Sequence, residues 1–191
     1  MNILIATGIY PPDIGGPATY SKLIARKLAE RGHKVQILTY SSPSSRTEPN
    51  PLLSSRTERE RRAGISFVSR KWPAGLRHFF YFLKVLKLGK KADIIYIQDP
   101  VSVGLPATLA NLILKKKLFL KIVGDYSWEQ QRQMSNVKCQ MLDDFYPFKN
   151  EDYPLKIQIL EKIQNWVARK ANKIITPSFY LKNILTNGWE V

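Results

Sequence analysis

Gly15 and Gly16 stand immediately before Pro17, where an apolar helical pattern begins. Paired glycines let a backbone approach a ligand closely, and a helix N-terminus presents free N–H groups to an anion. An ordinary turn would use the same residues. A second group of candidates is acidic and aromatic. Gln98-Asp99-Pro100 and Gly124-Asp125-Tyr126-Ser127-Trp128-Glu129 each follow a short apolar run. The carboxylates of Asp99, Asp125 and Glu129 could accept paired hydrogen bonds from sugar diols. Tyr126 or Trp128 could stack on a sugar face. Asp99 has a second reading as the cap of a turn beside proline. His33 reads as a surface residue and His78 as a structural one, since neither has a partner at nucleophile or metal spacing. With two histidines and the single cysteine Cys139, neither a zinc site nor a Cys/His nucleophile is expected.

Rival nucleotide motifs fail. The first loop reads Gly8-Ile9-Tyr10-Pro11-Pro12-Asp13-Ile14-Gly15-Gly16, without the Gly-x-Gly-x-x-Gly of a dinucleotide fold, and the second run ends Thr39-Tyr40-Ser41 without its acid. No P-loop motif occurs anywhere in the chain.

The elements that must position these residues alternate. Strands are predicted over 2–7, 34–40, 65–69, 94–98, 117–123 and 173–176. Helices are predicted from Pro17 to Gly32, and over 76–91, 102–115, 154–170 and 178–186, the last with Ser178 as N-cap. Strands that alternate with helices imply parallel βαβ units, so the expected fold is α/β, a doubly wound and mainly parallel Rossmann-like sheet forming one domain. Ligands of such sheets bind at the carboxyl ends of the strands. Residues 41–63, rich in Ser, Pro, Arg, Thr and Glu and twice carrying Ser-Ser-Arg-Thr-Glu, are expected to be a flexible insertion.

Hydrophobic residues make up 44% of the 191 and charged residues 24%, as in ordinary globular proteins. The N-terminus reads as a strand and no run is apolar enough to span a membrane, so a cytoplasmic location is expected. Lys and Arg outnumber Asp and Glu by 30 to 15, and residues 41–91 hold twelve of the bases but three of the acids. Such a field favours an anionic partner. In the 76–91 helix, Leu76, Phe79, Phe80, Leu83 and Leu86 form an apolar stripe, with Arg77, Lys84, Lys87, Lys90 and Lys91 largely elsewhere. One reading places this basic amphipathic helix on the inner face of a membrane. The other packs the stripe on the sheet under a solvated basic face. Nucleic acid is not an expected partner, since charge alone suggests it and no recognised motif accompanies it.

Ile3-Leu4-Ile5-Ala6-Thr7-Gly8-Ile9-Tyr10-Pro11-Pro12, Gly15-Gly16 and Arg31-Gly32-His33-Lys34-Val35 together resemble the opening of family 4 retaining glycosyltransferases. Ala92-Asp93-Ile94-Ile95-Tyr96 and Ala171-Asn172-Lys173-Ile174-Ile175-Thr176-Pro177-Ser178 resemble later strand entries of that family. The resemblance covers the chain outside 41–63. It implies a GT-B architecture, in which an acceptor-side N-terminal domain faces a donor-binding domain across a cleft. This chain would be the N-terminal domain, with the donor-binding domain absent and little transfer expected from it alone. Gly15 and Gly16 would then face the donor phosphate or sugar. Asp125 would sit beside the transferring sugar as the catalytic candidate. Asp99, Tyr126, Trp128 and Glu129 would meet a sugar or lipid-linked acceptor. A nucleotide sugar is the implied co-substrate, with no metal or other cofactor, and polysaccharide biosynthesis is the implied setting. The family's histidine after the fifth strand is replaced here by Val123-Gly124-Asp125. A non-catalytic module that binds a membrane or an acceptor is the alternative.

Overall fold

The computed structural model describes residues 1–41, 64–124 and 154–188. The strands are β1 (Asn2–Thr7), β2 (Lys34–Ser41), β3 (Gly64–Ser69), β4 (Ile94–Ile97), β5 (Lys117–Lys121) and β6 (Lys173–Ile175). The helices are α1 (Gly16–Glu30), α2 (Ala74–Gly89), α3 (Gly104–Leu114), α4 (Leu155–Lys170) and α5 (Phe179–Gly188). The strands form one sheet in the order β3-β2-β1-β4-β5-β6, and every adjacent pair is parallel. This is the doubly wound, Rossmann-like arrangement expected from the alternation of elements.

Apolar side chains explain why the sheet is covered on both faces. In β1, Leu4 and Ala6 point into one core with Tyr81 and Val85 of α2, Ala107 and Ala110 of α3, and Val167 of α4. Ile3 and Ile5 point the other way, against Ala25 of α1, Val35 and Ile37. A strand buried on both faces needs such a continuous apolar run.

Local chemistry sets most helix ends. Pro17 lies in the first turn of α1, and Gly32, at φ +85°, closes its C-terminus in the left-handed region. Ser178 Oγ accepts from Leu181 N at 3.2 Å, so it caps α5 as its type suggests. Gly104 opens α3 because a Cβ there would lie 2.6 Å from the backbone oxygen of Asp99.

One face assignment differs from the stripe read in the sequence. The sheet-facing side of α2 is Tyr81 and Val85, with Phe82, Leu86 and Leu88 partly buried. Leu76, Phe79, Phe80 and Leu83 point outward. Two of the five predicted surface cations turn inward instead. Lys84 Nζ donates to the Phe67 carbonyl of β3, and the Arg77 guanidinium lies 5.2 Å over the Tyr40 ring.

Candidate active site at the strand carboxyl ends

The order of the sheet reverses direction between β1 and β4. Such a switch point is the usual ligand position in a doubly wound sheet, so the loops that leave these two strands border the candidate crevice. Gly8 of the first loop faces Ser102 of the second, where an added Cβ would lie 3.4 Å from Ser102 Oγ.

The first loop is pinned from three sides. Thr7 Oγ1 donates to Ile9 O at 2.9 Å, and Ser21 Oγ of α1 lies 3.2 Å from Thr7 Oγ1. Arg70, just past β3, donates to both Asp13 oxygens, at 2.7 Å to Oδ2 and 3.3 Å to Oδ1. Its Nη2 also donates to Gly8 O at 3.1 Å. One guanidinium thus ties the start of the loop to its middle, the use to which a planar fork of donors is suited.

This brings Gly15 to the head of α1. Gly15 has φ +156° and supplies no capping side chain to the first N–H groups of α1. An added Cβ at Gly15 would stand 2.8 Å from Ile9 Cδ1, whereas Gly16 faces open space. The two glycines therefore differ: Gly15 is required by the loop, and Gly16 leaves an open approach to the helix end.

Across the crevice, Asp99 shapes the second loop. Its Oδ1 accepts from Val101 N at 2.6 Å and Ser102 N at 2.8 Å, and its Oδ2 from Ser102 Oγ at 3.0 Å. The carboxylate is thus engaged as a turn cap, the second of its two readings. Beside it, Tyr40 Oη donates to Ser102 O at 3.1 Å and lies 2.9 Å from His78 Nδ1. Both bonds form at once if Nδ1–H donates to Tyr40 Oη, which leaves His78 Nε2 as an acceptor. Burial pushes the Tyr40 phenol up; Arg77 opposes this and Asp99 adds to it, so the hydroxyl stays protonated. Burial and the Arg77 charge hold the His78 imidazole below its ordinary value, against the Ser102 carbonyl and Asp99, which raise it. The buried Gln98 Nε2 and Arg77 Nε have no hydrogen-bond partner among the described residues. On the other face, the Lys121 ammonium sits over the Tyr20 ring, 2.9 Å from its centroid, and Tyr20 Oη meets Tyr96 Oη at 3.2 Å.

The predicted residues divide accordingly. Gly15 and Gly16 stand between β1 and α1 and Asp99 in the loop after β4, the two loops that border the candidate crevice. Asp125, Tyr126, Trp128 and Glu129 lie outside the described residues, directly after Gly124. So does the 41–63 insertion beyond Ser41, the last residue of β2. Lys87, Lys90 and Lys91 are exposed along and just beyond the C-terminal part of α2. Sequence reasoning missed the roles of Arg70, Tyr40 and His78, whose partners are distant in the chain. Their only sequence signal is position at or near the carboxyl ends of strands or at the head of a crossover helix. No cluster of three potential metal ligands occurs among the described residues. A groove of about 510 Å³ lies at the opposite, amino edge of the sheet, lined by Asn2, His33, Lys34, Gly64 and Lys91 among others. It shares no residue with the crevice.

The family described as Glycosyltransferase Family 4 matches residues 14–191. No curated protein matches the chain. Among solved structures, a UDP-GlcNAc 2-epimerase from Methanocaldococcus jannaschii is 13% identical with a TM-score of 0.55, over 97% of this chain and 42% of that one. A structure assigned as a UDP-N-acetylglucosamine 2-epimerase from Listeria monocytogenes is 12% identical with a TM-score of 0.53, over 97% and 41%. A UDP-glucosyltransferase from Polygonum tinctorium capable of glucosylating indoxyl is 12% identical with a TM-score of 0.47, over 99% and 48%. The chain thus spans less than half the length of each of these three proteins. With its opening loop, parallel sheet and matched residues in agreement, the chain belongs to glycosyltransferase family 4.

Proposed function

We propose that this domain forms the acceptor-side wall of a sugar-transfer cleft. The observation that carries the reading is the head of α1, where Gly15 offers no capping side chain and Gly16 faces open space, in the loop that follows β1 at the switch point of the sheet. A diphosphate placed there would meet backbone N–H groups and the positive end of a helix dipole. In the proposed reaction the acceptor hydroxyl oxygen bonds to the anomeric carbon of a nucleotide sugar. The bond from that carbon to the diphosphate oxygen breaks, and the nucleotide diphosphate leaves with the electron pair. A diphosphate oxygen takes the acceptor proton, which directs attack to the face that the nucleotide leaves and retains configuration. Charge developing on the diphosphate is where fixed donors stabilise the transition state most.

Asp125 is assigned a place beside the transferring sugar. Tyr126, Trp128 and Glu129 are assigned to a sugar or lipid-linked acceptor, on their position directly after β5. Asp99 serves this site by holding the loop that carries Ser102. Most of the nucleotide contacts are assigned to a donor-binding domain outside these 191 residues, in line with the share of the solved structures that this chain spans.

The test is transfer of labelled sugar from a panel of nucleotide sugars by the gene product as the cell makes it. Gly16→Val should lower kcat/KM at least about tenfold, because its side chain enters the open approach to the helix end. Full activity in that variant, with its fold intact, would remove the reading. So would efficient transfer by the 191-residue chain alone.

A further inference from the structure

The outward face of α2 carries an apolar cluster that the core among the described residues does not take up. Trp72, Leu76, Phe79, Phe80 and Leu83 are 48, 46, 53, 38 and 41% exposed. The rings form one surface, with Trp72 and Phe80 centroids 5.3 Å apart and Phe79 and Phe80 6.0 Å apart. The core takes the other face of the helix, through Tyr81 and Val85. Exposed large side chains this close together mark an interaction surface more often than scattered ones do.

Charge decides the partner. From Gly64 to Lys91 there are seven Lys and Arg residues and no Asp or Glu. Lys71 flanks the aromatic cluster at one end, and Lys87 and Lys90 continue the outward stripe at the other; all three are exposed. The stripe thus changes from aromatic to cationic along about 20 Å of helix. Two copies of the same face would bring like charges together. An anionic bilayer instead accepts the aromatic side chains between its headgroups and attracts the lysines to its surface. No helix among the described residues is long and apolar enough to cross a membrane, so the association would be peripheral.

We infer that the outward face of α2, centred on Phe79 and Phe80 and flanked by Lys71, Lys87 and Lys90, docks this domain on an anionic lipid surface. α2 follows β3 and runs back along the sheet, so its aromatic first turns stand at the carboxyl edge. His78, next to Phe79, contacts Tyr40 at the crevice. Docking would therefore set the crevice mouth close to the headgroups, within reach of an acceptor carried in the membrane. The docking itself stands whether or not the crevice transfers sugar.

The experiment is flotation of the 191-residue chain with vesicles of phosphatidylcholine, alone or mixed with phosphatidylglycerol, at low salt. Binding is expected to the mixed vesicles and not to phosphatidylcholine alone. Phe79→Ser with Phe80→Ser should weaken it about tenfold or more. Lys87→Ser and Lys90→Ser should each weaken it about fivefold. Both side chains of each pair point outward, so the circular dichroism spectrum and melting temperature should hold. No flotation at low salt would overturn the inference. Flotation unaffected by the double phenylalanine substitution would also overturn it, as charge alone would then suffice. A variant-sensitive dimer in the absence of lipid binding would assign the face to a second copy instead.

Discussion

Replacing Arg70 with methionine keeps most of the aliphatic stem and removes the fork that pins the first loop. Three hydrogen bonds go at once: two to the Asp13 carboxylate, at 2.7 and 3.3 Å, and one to Gly8 O at 3.1 Å. Hydrogen bonds to charged partners are each worth about 1.5–3 kcal/mol when well buried. Here the two side chains keep 32% and 21% of their surface in solvent, so the pair is discounted toward the value of an exposed ion pair. A loss of about 2 kcal/mol results, equivalent to roughly 4–8 °C in Tm for a domain of this size. Asp13→Asn alone should cost less, because Arg70 keeps Gly8 O. The two changes together should cost about 1 kcal/mol less than their sum, since they remove one shared interaction. Thermal unfolding of the wild type, both single variants and the double variant gives this coupling. A Tm within about 1 °C of wild type for Arg70→Met would refute the claim that this residue holds the loop.

Other consequences are smaller or conditional. Tyr81 Oη, wholly buried, donates to Leu38 O at 2.9 Å, so Tyr81→Phe should cost about 1 kcal/mol in chemical denaturation with an unchanged m-value. The His78 imidazole is held below its ordinary value, so in the acid range the unfolded chain binds the proton more readily than the folded one. Its contribution to stability should therefore be intact above about pH 6.5, the ordinary imidazole value, and be lost below it as pH falls through the lower folded-state value. Denaturation midpoints against pH should show this loss in the wild type and a weaker one in His78→Phe; equal slopes would contradict it.

Much of the scaffold was legible because each strand carries its own signal. The apolar run 2–7, the Gly-Pro punctuation of the first loop and the Gly32 stop all act locally, and all appear where their chemistry requires. Ser178 and Pro17 belong to the same class. The stripe of α2 was legible, but which way it faced was not, because that helix is apolar on two sides. Leu76, Phe79, Phe80 and Leu83 follow helical spacing as well as Tyr81 and Val85 do, and only the sheet determines which side is buried. The working partners of the site were also hidden. Arg70 meets Asp13 across 57 positions and Tyr40 meets His78 across 38. Nothing local marks such pairs. Asp99 had two defensible readings, and its hydrogen bonds assign the carboxylate to the turn while its loop still borders the crevice.

On the proposed function, ligands meet this domain at the carboxyl edge, at the head of α1 and between the loops after β1 and β4. Backbone amide NMR of the 191-residue chain, titrated with a nucleotide sugar at high concentration, tests it directly. The largest shifts are expected at Gly8, Gly15, Gly16 and the Asp99–Ser102 turn. Shifts centred instead on the amino-edge groove at Asn2, His33, Lys34 and Gly64, or none at all, would contradict it.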